Sequence, residues 1–233
     1  MKYLLKNASQ TGFKYLDRNK QDPIVLIPGW ATDYRIFDSL DLMFNYLLPV
    51  GFSPITFEKS LLETMKRNNI TKISLFGWSL GGFVAAEFAS RHANLVDELI
   101  LVSIRKKYKK EELIEIKKLL RKNKKAYLYK FYTQCFPKKE QMRWFQENLL
   151  KDYCEKFDLN YLLETLDYLE NTEIKPELLN GLEKIKIIHG EYDSIAPIQG
   201  ATAIKDNLAY ARFICIKDIG HIPFLKEDLG KYI

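Results

Sequence analysis

The residues best suited to chemistry lie in the segment Gly77-Trp-Ser-Leu-Gly81, which has the pattern G-x-S-x-G. An apolar run at 73–76 precedes it, and residues 84–89 follow with apolar side chains at helical spacing. A strand, a sharp turn and a helix in this order are typical of a nucleophile elbow, which lifts the serine hydroxyl above a sheet. The segment predicts Ser79 as a nucleophile; the alternative is a glycine-rich turn with an ordinary serine.

A serine hydroxyl needs a base to become a strong nucleophile, and three histidines are available. His221 lies between Gly220 and Pro223, in a loop after the last predicted strand, and is the predicted base. We expect His92, at the end of the helix after the elbow, to be a solvated cap. We expect His189 to be a structural residue at the end of a strand.

The base in turn needs a carboxylate that orients it. Asp193 follows the penultimate predicted strand and is the predicted acid, while Glu191 and Asp218 are the competitors. With Asp193, the order along the chain is Ser, Asp, His, which is the order found in α/β-hydrolases.

Acyl transfer also needs two N–H groups that converge on the tetrahedral oxygen. One is predicted at Leu80, directly after the nucleophile. The other is predicted at Trp30, in the loop after the first buried strand. Both residues are therefore also expected to contact the substrate.

The elements that must position these residues alternate along the chain, which predicts a parallel sheet with helices on both faces. Strands are predicted at 3–5, 13–16, 24–27, 54–57, 73–76, 99–102, 185–188 and 212–216. Helices are predicted at 33–48, 60–68, after the elbow, and at 198–208. Residues 1–104 and 181–233 are expected to form one core.

The alternation stops between the two parts of this core, where residues 105–180 read as helices only. Four are predicted, at 111–123, 124–136, 138–153 and 158–171. A helical block inserted in a strand–helix series is expected to form a lid over the carboxyl ends of the strands, where open α/β sheets bind ligands.

Charge is distributed unevenly over the 233 residues, whose formal net charge is +6. Residues 105–151 contain 16 Lys and Arg against 5 Asp and Glu. A charge run is usually a solvated face, but it can also meet an acidic partner. No nucleic-acid recognition motif accompanies the charge, so we expect no nucleic-acid partner.

The remaining composition indicates a cytoplasmic monomer without metal or cofactor. No apolar run is long enough for a membrane span, and the N-terminus lacks the apolar region of a signal peptide. The three cysteines, Cys135, Cys154 and Cys215, have no metal-ligand spacing and are expected to be small buried hydrophobes.

From residue 24 to about 225 the chain resembles an α/β-hydrolase, and more narrowly the BioH-type pimeloyl-acyl-carrier-protein methyl ester esterases of biotin synthesis. The resemblance is carried by residues 26–30, 76–82 and 220–224. It implies a serine carboxylesterase that acts on a substrate carried by an acyl carrier protein. It further implies that Phe131 lines the acyl channel and that carrier docking involves Lys125, Lys130 and Arg143.

Two departures from the family pattern are visible: Pro28 replaces a common histidine, and the closing helix is expected to be shortened. Three alternatives stay open. One is another small-acyl ester hydrolase, and one is a C–C lyase such as that of the menaquinone pathway. The lyase needs cations inside its pocket, whereas the basic charge is expected on polar faces of the lid. The third is a non-catalytic binding protein with the same fold.

Overall fold

The computed structural model describes residues 12–233, which form a seven-stranded sheet in the order β1-β3-β2-β4-β5-β6-β7. Only the β1–β3 pair is antiparallel; all other neighbours are parallel. The strands are β1 (Gly12–Leu16), β2 (Pro23–Ile27), β3 (Asn45–Val50), β4 (Ile73–Trp78), β5 (Val96–Val102), β6 (Ile185–Gly190) and β7 (Arg212–Ile216).

The centre of the sheet is β4, which lies between β2 and β5. Every residue of β4 is buried, as expected for a parallel strand covered on both faces. The turn that carries Ser79 therefore emerges at the middle of the carboxyl edge.

The helices of the sheet's own strand–helix series are α1 (Phe57–Arg67), α2 (Leu80–Arg91) and α7 (Ile198–Lys205). Between β5 and β6 lie α3 (Lys110–Gln134), α4 (Lys139–Phe145), α5 (Lys151–Lys156) and α6 (Leu159–Asn171), with a π-helical turn, Gln146–Leu150, joining α4 to α5. We call α3 to α6 the helical insertion. Within the described part of the chain, no helix combines the length and the apolar character needed to cross a membrane.

Helix α3 is interrupted at Asn123, whose backbone is non-helical (φ −160°, ψ 91°). The Asn123 side chain accepts a hydrogen bond from the backbone N–H of Ala126 at 3.0 Å and so caps the second half. The predicted pair of helices over 111–123 and 124–136 is thereby confirmed. That residues 105–180 act as a lid domain, apart from a core of 1–104 and 181–233, stays a prediction.

Two predictions near the start of the chain are wrong. The helix predicted over 33–48 is a 3₁₀ turn, Tyr34–Phe37, followed by β3. Pro49, taken as a helix breaker, lies in β3 beyond the last residue that pairs with β2, so its missing N–H costs no bond to that strand. The strand predicted at 54–57 is the turn that begins α1, and the strand predicted at 3–5 lies outside the described residues.

Two side-chain expectations also need correction. Cys135 and Cys154 are buried as expected, but Cys215 is exposed on β7. Lys117, expected on a solvated face of the insertion, is buried and paired with Asp167 and Glu170 of α6 at 2.5 Å each. Paired carboxylates are what make burial of a lysine tolerable.

Candidate active site

The elbow holds Ser79 in a conformation that residues other than glycine rarely adopt, with φ 55° and ψ −117°. Two glycines make the turn possible. A Cβ on Gly77 would lie 2.4 Å from the carbonyl oxygen of Gly81, and one on Gly81 would lie 2.2 Å from that of Ile27. Strain of this kind persists only where the surroundings impose it, and it is common at functional sites.

The imidazole of His221 lies between Ser79 and Asp193, which come from two other loops. Its Nε2 is 2.9 Å from Ser79 Oγ, and its Nδ1 is 2.8 Å from Asp193 Oδ2. All three residues are buried. Because an ionised carboxylate can only accept, Nδ1 carries the proton and Nε2 is free to accept the serine proton.

Asp193 is fixed by its own loop as well as by the histidine. Its Oδ1 accepts the backbone N–H groups of Ile195 at 2.9 Å and Ala196 at 2.8 Å, which leaves Oδ2 for His221. The two competing acids lie elsewhere. Glu191 accepts the backbone N–H of Asp218, and Asp218 pairs with Lys138 at 3.1 Å.

The other histidines have structural partners. His92 is at the end of α2, but it is not simply solvated: its Nε2 lies 2.7 Å from Glu58 Oε1 and its ring packs on Phe88. His189 is fully buried, with Nε2 2.7 Å from the carbonyl oxygen of Ala196. Burial lowers the pKa of His189, so it stays neutral. Among residues 12–233, no group of three or more His, Cys, Asp or Glu side chains could hold a metal ion.

Trp78 connects the elbow to the histidine loop. Its indole Nε1 donates to the carbonyl oxygen of His221 at 2.7 Å, and its ring packs edge-on against Phe224. The tryptophan before Ser79 thus helps to hold His221, 143 positions further along the chain, in place.

The two predicted oxyanion donors belong to the helix after Ser79 and to the loop after β2. Leu80 opens α2, where the first N–H groups have no partner within the helix. Trp30 belongs to residues 28–33, which we call the Trp30 loop and which follows β2 directly. Within residues 12–233, neither of these two backbone N–H groups has an acceptor outside the regular helix and sheet bonds.

The comparisons with known proteins agree on the fold. The model of a family described as alpha/beta hydrolase fold matches residues 50–162. The AB hydrolase superfamily protein YisY of Bacillus subtilis is 24% identical in an alignment of 251 positions that covers 88% of this chain and 87% of that protein. A pimeloyl-[acyl-carrier protein] methyl ester esterase of Nitrosomonas europaea is 27% identical in an alignment of 194 positions that covers 66% of each chain.

A solved esterase from Exiguobacterium antarcticum superimposes with a TM-score of 0.78 at 18% identity, covering 91% of this chain and 89% of that one. The chain has the α/β-hydrolase fold. The predicted fold class is thereby confirmed.

A cavity of about 400 Å³ lies between the insertion and the carboxyl edge of the sheet. Its lining is mainly apolar and comes from the Trp30 loop, the loops after β5 and β6, α3 and α6; it includes Trp30, Leu113, Ile116, Tyr127, Phe131 and Leu166. Phe131, predicted to line an acyl channel, packs edge-on against Trp30 with ring centroids 5.0 Å apart. The cavity therefore suits an apolar chain.

Two residues that line the cavity were missed in the sequence. Tyr108 interacts with the Ser79 hydroxyl, and burial raises its pKa to about 12. The guanidinium of Arg105 lies 4.6 Å from the centre of the Tyr108 ring and pairs with Glu112 at 3.1 Å. A basic side chain thus lines the cavity, contrary to expectation. The signal was their place just after a buried strand, at the edge where ligands bind.

The three predicted docking residues lie on the outer surface of the helical insertion. Lys125 and Lys130 are exposed on α3, and Arg143 is exposed on α4. Lys125 pairs with Glu155 at 2.9 Å, so part of its charge is already compensated.

Proposed function

We propose that this protein is a serine carboxylesterase. The observation that carries the proposal is the chain of hydrogen bonds from Ser79 through His221 to Asp193, at 2.9 Å and 2.8 Å, in a serine held at positive φ. Nucleophile, base and orienting acid stand in the geometry that acyl transfer requires.

In the proposed reaction, Ser79 Oγ attacks the ester carbonyl while His221 Nε2 takes its proton. The N–H groups of Trp30 and Leu80 stabilise the resulting oxyanion. His221 then returns the proton to the departing alcohol, which leaves an acyl-serine. Water, deprotonated by the same nitrogen, attacks this acyl group, and the free acid leaves while Ser79 regains its proton. Asp193 keeps His221 in the required tautomer throughout.

For the substrate, we propose the methyl ester of a pimeloyl group carried by an acyl carrier protein. Support comes from the relative in Nitrosomonas europaea, from the apolar cavity beside Trp30 and Phe131, and from the basic outer surface of the insertion. The cytoplasmic location and the monomeric state expected above belong to the same proposal.

Genetic complementation tests this substrate. Expression in a biotin auxotroph that lacks its pimeloyl ester esterase should restore growth without biotin, and the Ser79→Ala variant should not. Purified protein should release methanol from the carrier-bound ester. Failure of both assays, in a protein that still hydrolyses p-nitrophenyl acetate, would reject this substrate but leave the proposed esterase activity in place.

Carrier docking is tested separately by reversing charge at Lys125, Lys130 and Arg143 together. The KM for the carrier-bound ester should rise, most clearly at low ionic strength, because salt screens exposed charges. Hydrolysis of a small free ester should stay within about twofold, since such a substrate does not reach that surface. An equal response of both substrates, or none, means that these residues only keep the insertion solvated.

A second candidate is favoured by Arg105, the cation that the lyase alternative requires inside the pocket. In that case the substrate carries a carboxylate that displaces Glu112 from the guanidinium. Arg105→Gln should then lower kcat/KM for a carboxylated substrate by about tenfold or more relative to a neutral ester. An equal effect on both substrates rejects this candidate.

A further inference from the structure

The Trp30 loop, like the elbow, contains a non-glycine residue at positive φ: Ala31, with φ 57°. It directly follows the residue whose N–H is the second oxyanion donor. An alanine in this region is strained and keeps its conformation only when its surroundings hold it. Inside the loop, one side-chain bond is present, from Thr32 Oγ1 to the carbonyl oxygen of Gly29 at 2.9 Å.

The helical insertion supplies further bonds to this loop. The hydroxyl of Tyr132, in α3, donates to the carbonyl oxygen of Ala31. The indole Nε1 of Trp30 donates to the carbonyl oxygen of Leu162, in α6, at 3.1 Å. At the end of the loop, the hydroxyl of Tyr153, in α5, donates to Asp33 Oδ1 at 2.9 Å. Three helices of the insertion thus each contact the loop.

Of these contacts, that of Tyr132 acts on the strained residue itself. Tyr132 is fully buried, and its ring packs against Phe145 and Tyr153 with centroids 5.1 Å and 6.0 Å apart. Packing against these two rings holds the Tyr132 ring, and with it the hydroxyl, beside the Ala31 carbonyl oxygen. Burial raises the pKa of Tyr132 well above its ordinary value, and the hydroxyl remains a neutral donor at any working pH.

We propose that Tyr132 is a positioning residue for the oxyanion hole: its hydroxyl holds the Ala31 carbonyl, and thereby keeps the Trp30 N–H directed at the reacting oxygen. The inference rests on the proposed esterase activity. Tyr132 does not touch the substrate in this role. Removal of the bond lets Ala31 relax, and the oxyanion loses one donor in the transition state but nothing in the ground state.

The test is Tyr132→Phe, with Tyr168→Phe as the matched control. Tyr168, in α6, also donates from the insertion, but to Glu87 Oε2 in α2, at 2.8 Å and away from the Trp30 loop. With p-nitrophenyl butyrate, Tyr132→Phe should lower kcat about 10- to 100-fold and leave KM within about threefold. The affinity for a trifluoromethyl ketone, which forms an oxyanion on the serine, should fall by the same factor. The control should keep its kcat and its ketone affinity.

Equal kcat losses in the two variants, or a loss confined to KM, would overturn the proposal. A crystal structure of Tyr132→Phe decides independently of activity: Ala31 should leave the positive-φ region, and its retention there also overturns the proposal. Failure of the esterase proposal is recognised differently, by a parent protein that hydrolyses no ester and is not labelled at Ser79 by a fluorophosphonate.

Discussion

The nucleophile elbow and the Trp30 loop meet at the same edge of the sheet, but different parts of the molecule hold them. The elbow is fixed by its neighbours in sequence and by the adjacent strand: Gly77 allows close approach of α2 and Gly81 allows close approach of β2, and β4 is buried along its whole length. The Trp30 loop is fixed by Tyr132, Tyr153 and the Leu162 carbonyl, all more than 100 positions away.

The difference shows how two halves of one site can be encoded separately. Sterically constrained backbone is specified by a short motif, because each glycine is required by an atom only a few positions away or on an adjacent strand. A loop held by polar side chains depends on the correct docking of another element. We therefore expect the elbow to tolerate changes in the insertion, and the Trp30 loop to respond to them. The predictions below test this contrast.

The largest effect is expected at the elbow. Ser79→Ala should lower ester hydrolysis about 10⁴-fold or more, because the members of a triad act as a unit. Circular dichroism should show an unchanged fold. Ser90→Ala, in the same helix–turn unit but bonded only to the carbonyl oxygen of Glu87, is the control and should stay within about twofold. Activity of Ser79→Ala within tenfold of the parent would remove Ser79 from its proposed role.

The second largest effect is expected at Asp193, the proposed acid. Asp193→Asn should lower kcat about 10³-fold or more, since an amide favours the wrong tautomer of His221. Glu191→Gln and Asp218→Asn should each stay within about threefold, because neither side chain contacts the imidazole. A larger loss in either control than in Asp193→Asn would move the acid assignment to that residue.

A smaller effect, on stability, is expected from Gly81→Ala. The added Cβ meets the Ile27 carbonyl oxygen at 2.2 Å, so β2 and α2 must move apart, at a cost of about 1–3 kcal/mol in the free energy of unfolding. Gly12→Ala is the matched control, since a Cβ there meets nothing within 4 Å. Urea denaturation should separate the two; equal stabilities would mean that the elbow is less tightly constrained than its geometry indicates.

The smallest effect concerns the pH dependence of the link between the Trp30 loop and the insertion. Burial raises the pKa of Asp33, but hydrogen bonds from Arg35 and Lys156 outweigh it, and the pKa falls below its ordinary value. A lowered pKa means that Asp33 stabilises the fold above about pH 4 and loses this contribution as the pH falls through the folded-state pKa.

Asp33→Asn should therefore cost about 1 kcal/mol at neutral pH and less at acid pH. The measurement is urea denaturation of parent and variant at several pH values between 2.5 and 7. A constant difference across this range would show that the ionised carboxylate contributes nothing to the link.

The same contrast explains what could be predicted from the sequence. The elbow, the buried strands at 24–27 and 99–102 and the break near Asn123 carry local signals, and the structure has all of them. Residues 33–48 carry apolar spacing that fits a helix as well as a turn followed by a strand; pairing of β3 with β1 and β2 decides between them. Only their position just after a buried strand could have marked Arg105 and Tyr108. Nothing in the local sequence marks Tyr132, because its role depends on what the fold brings against it.

The interruption at Asn123 divides α3 mechanically. The second half is tied to the triad loops: the Cys135 carbonyl accepts the backbone N–H of His221 at 2.9 Å, and that of Gln134 accepts the Ser194 hydroxyl at 3.0 Å. The first half is tied through Lys117 to α6 instead. A straight helix would transmit any displacement of one end to the other. Because Asn123 interrupts the helix, a displacement of residues 110–122 need not be passed on to the residues that contact His221 and Ser194. Hydrogen exchange that is faster in residues 110–122 than in 124–134 would show that the two halves move independently.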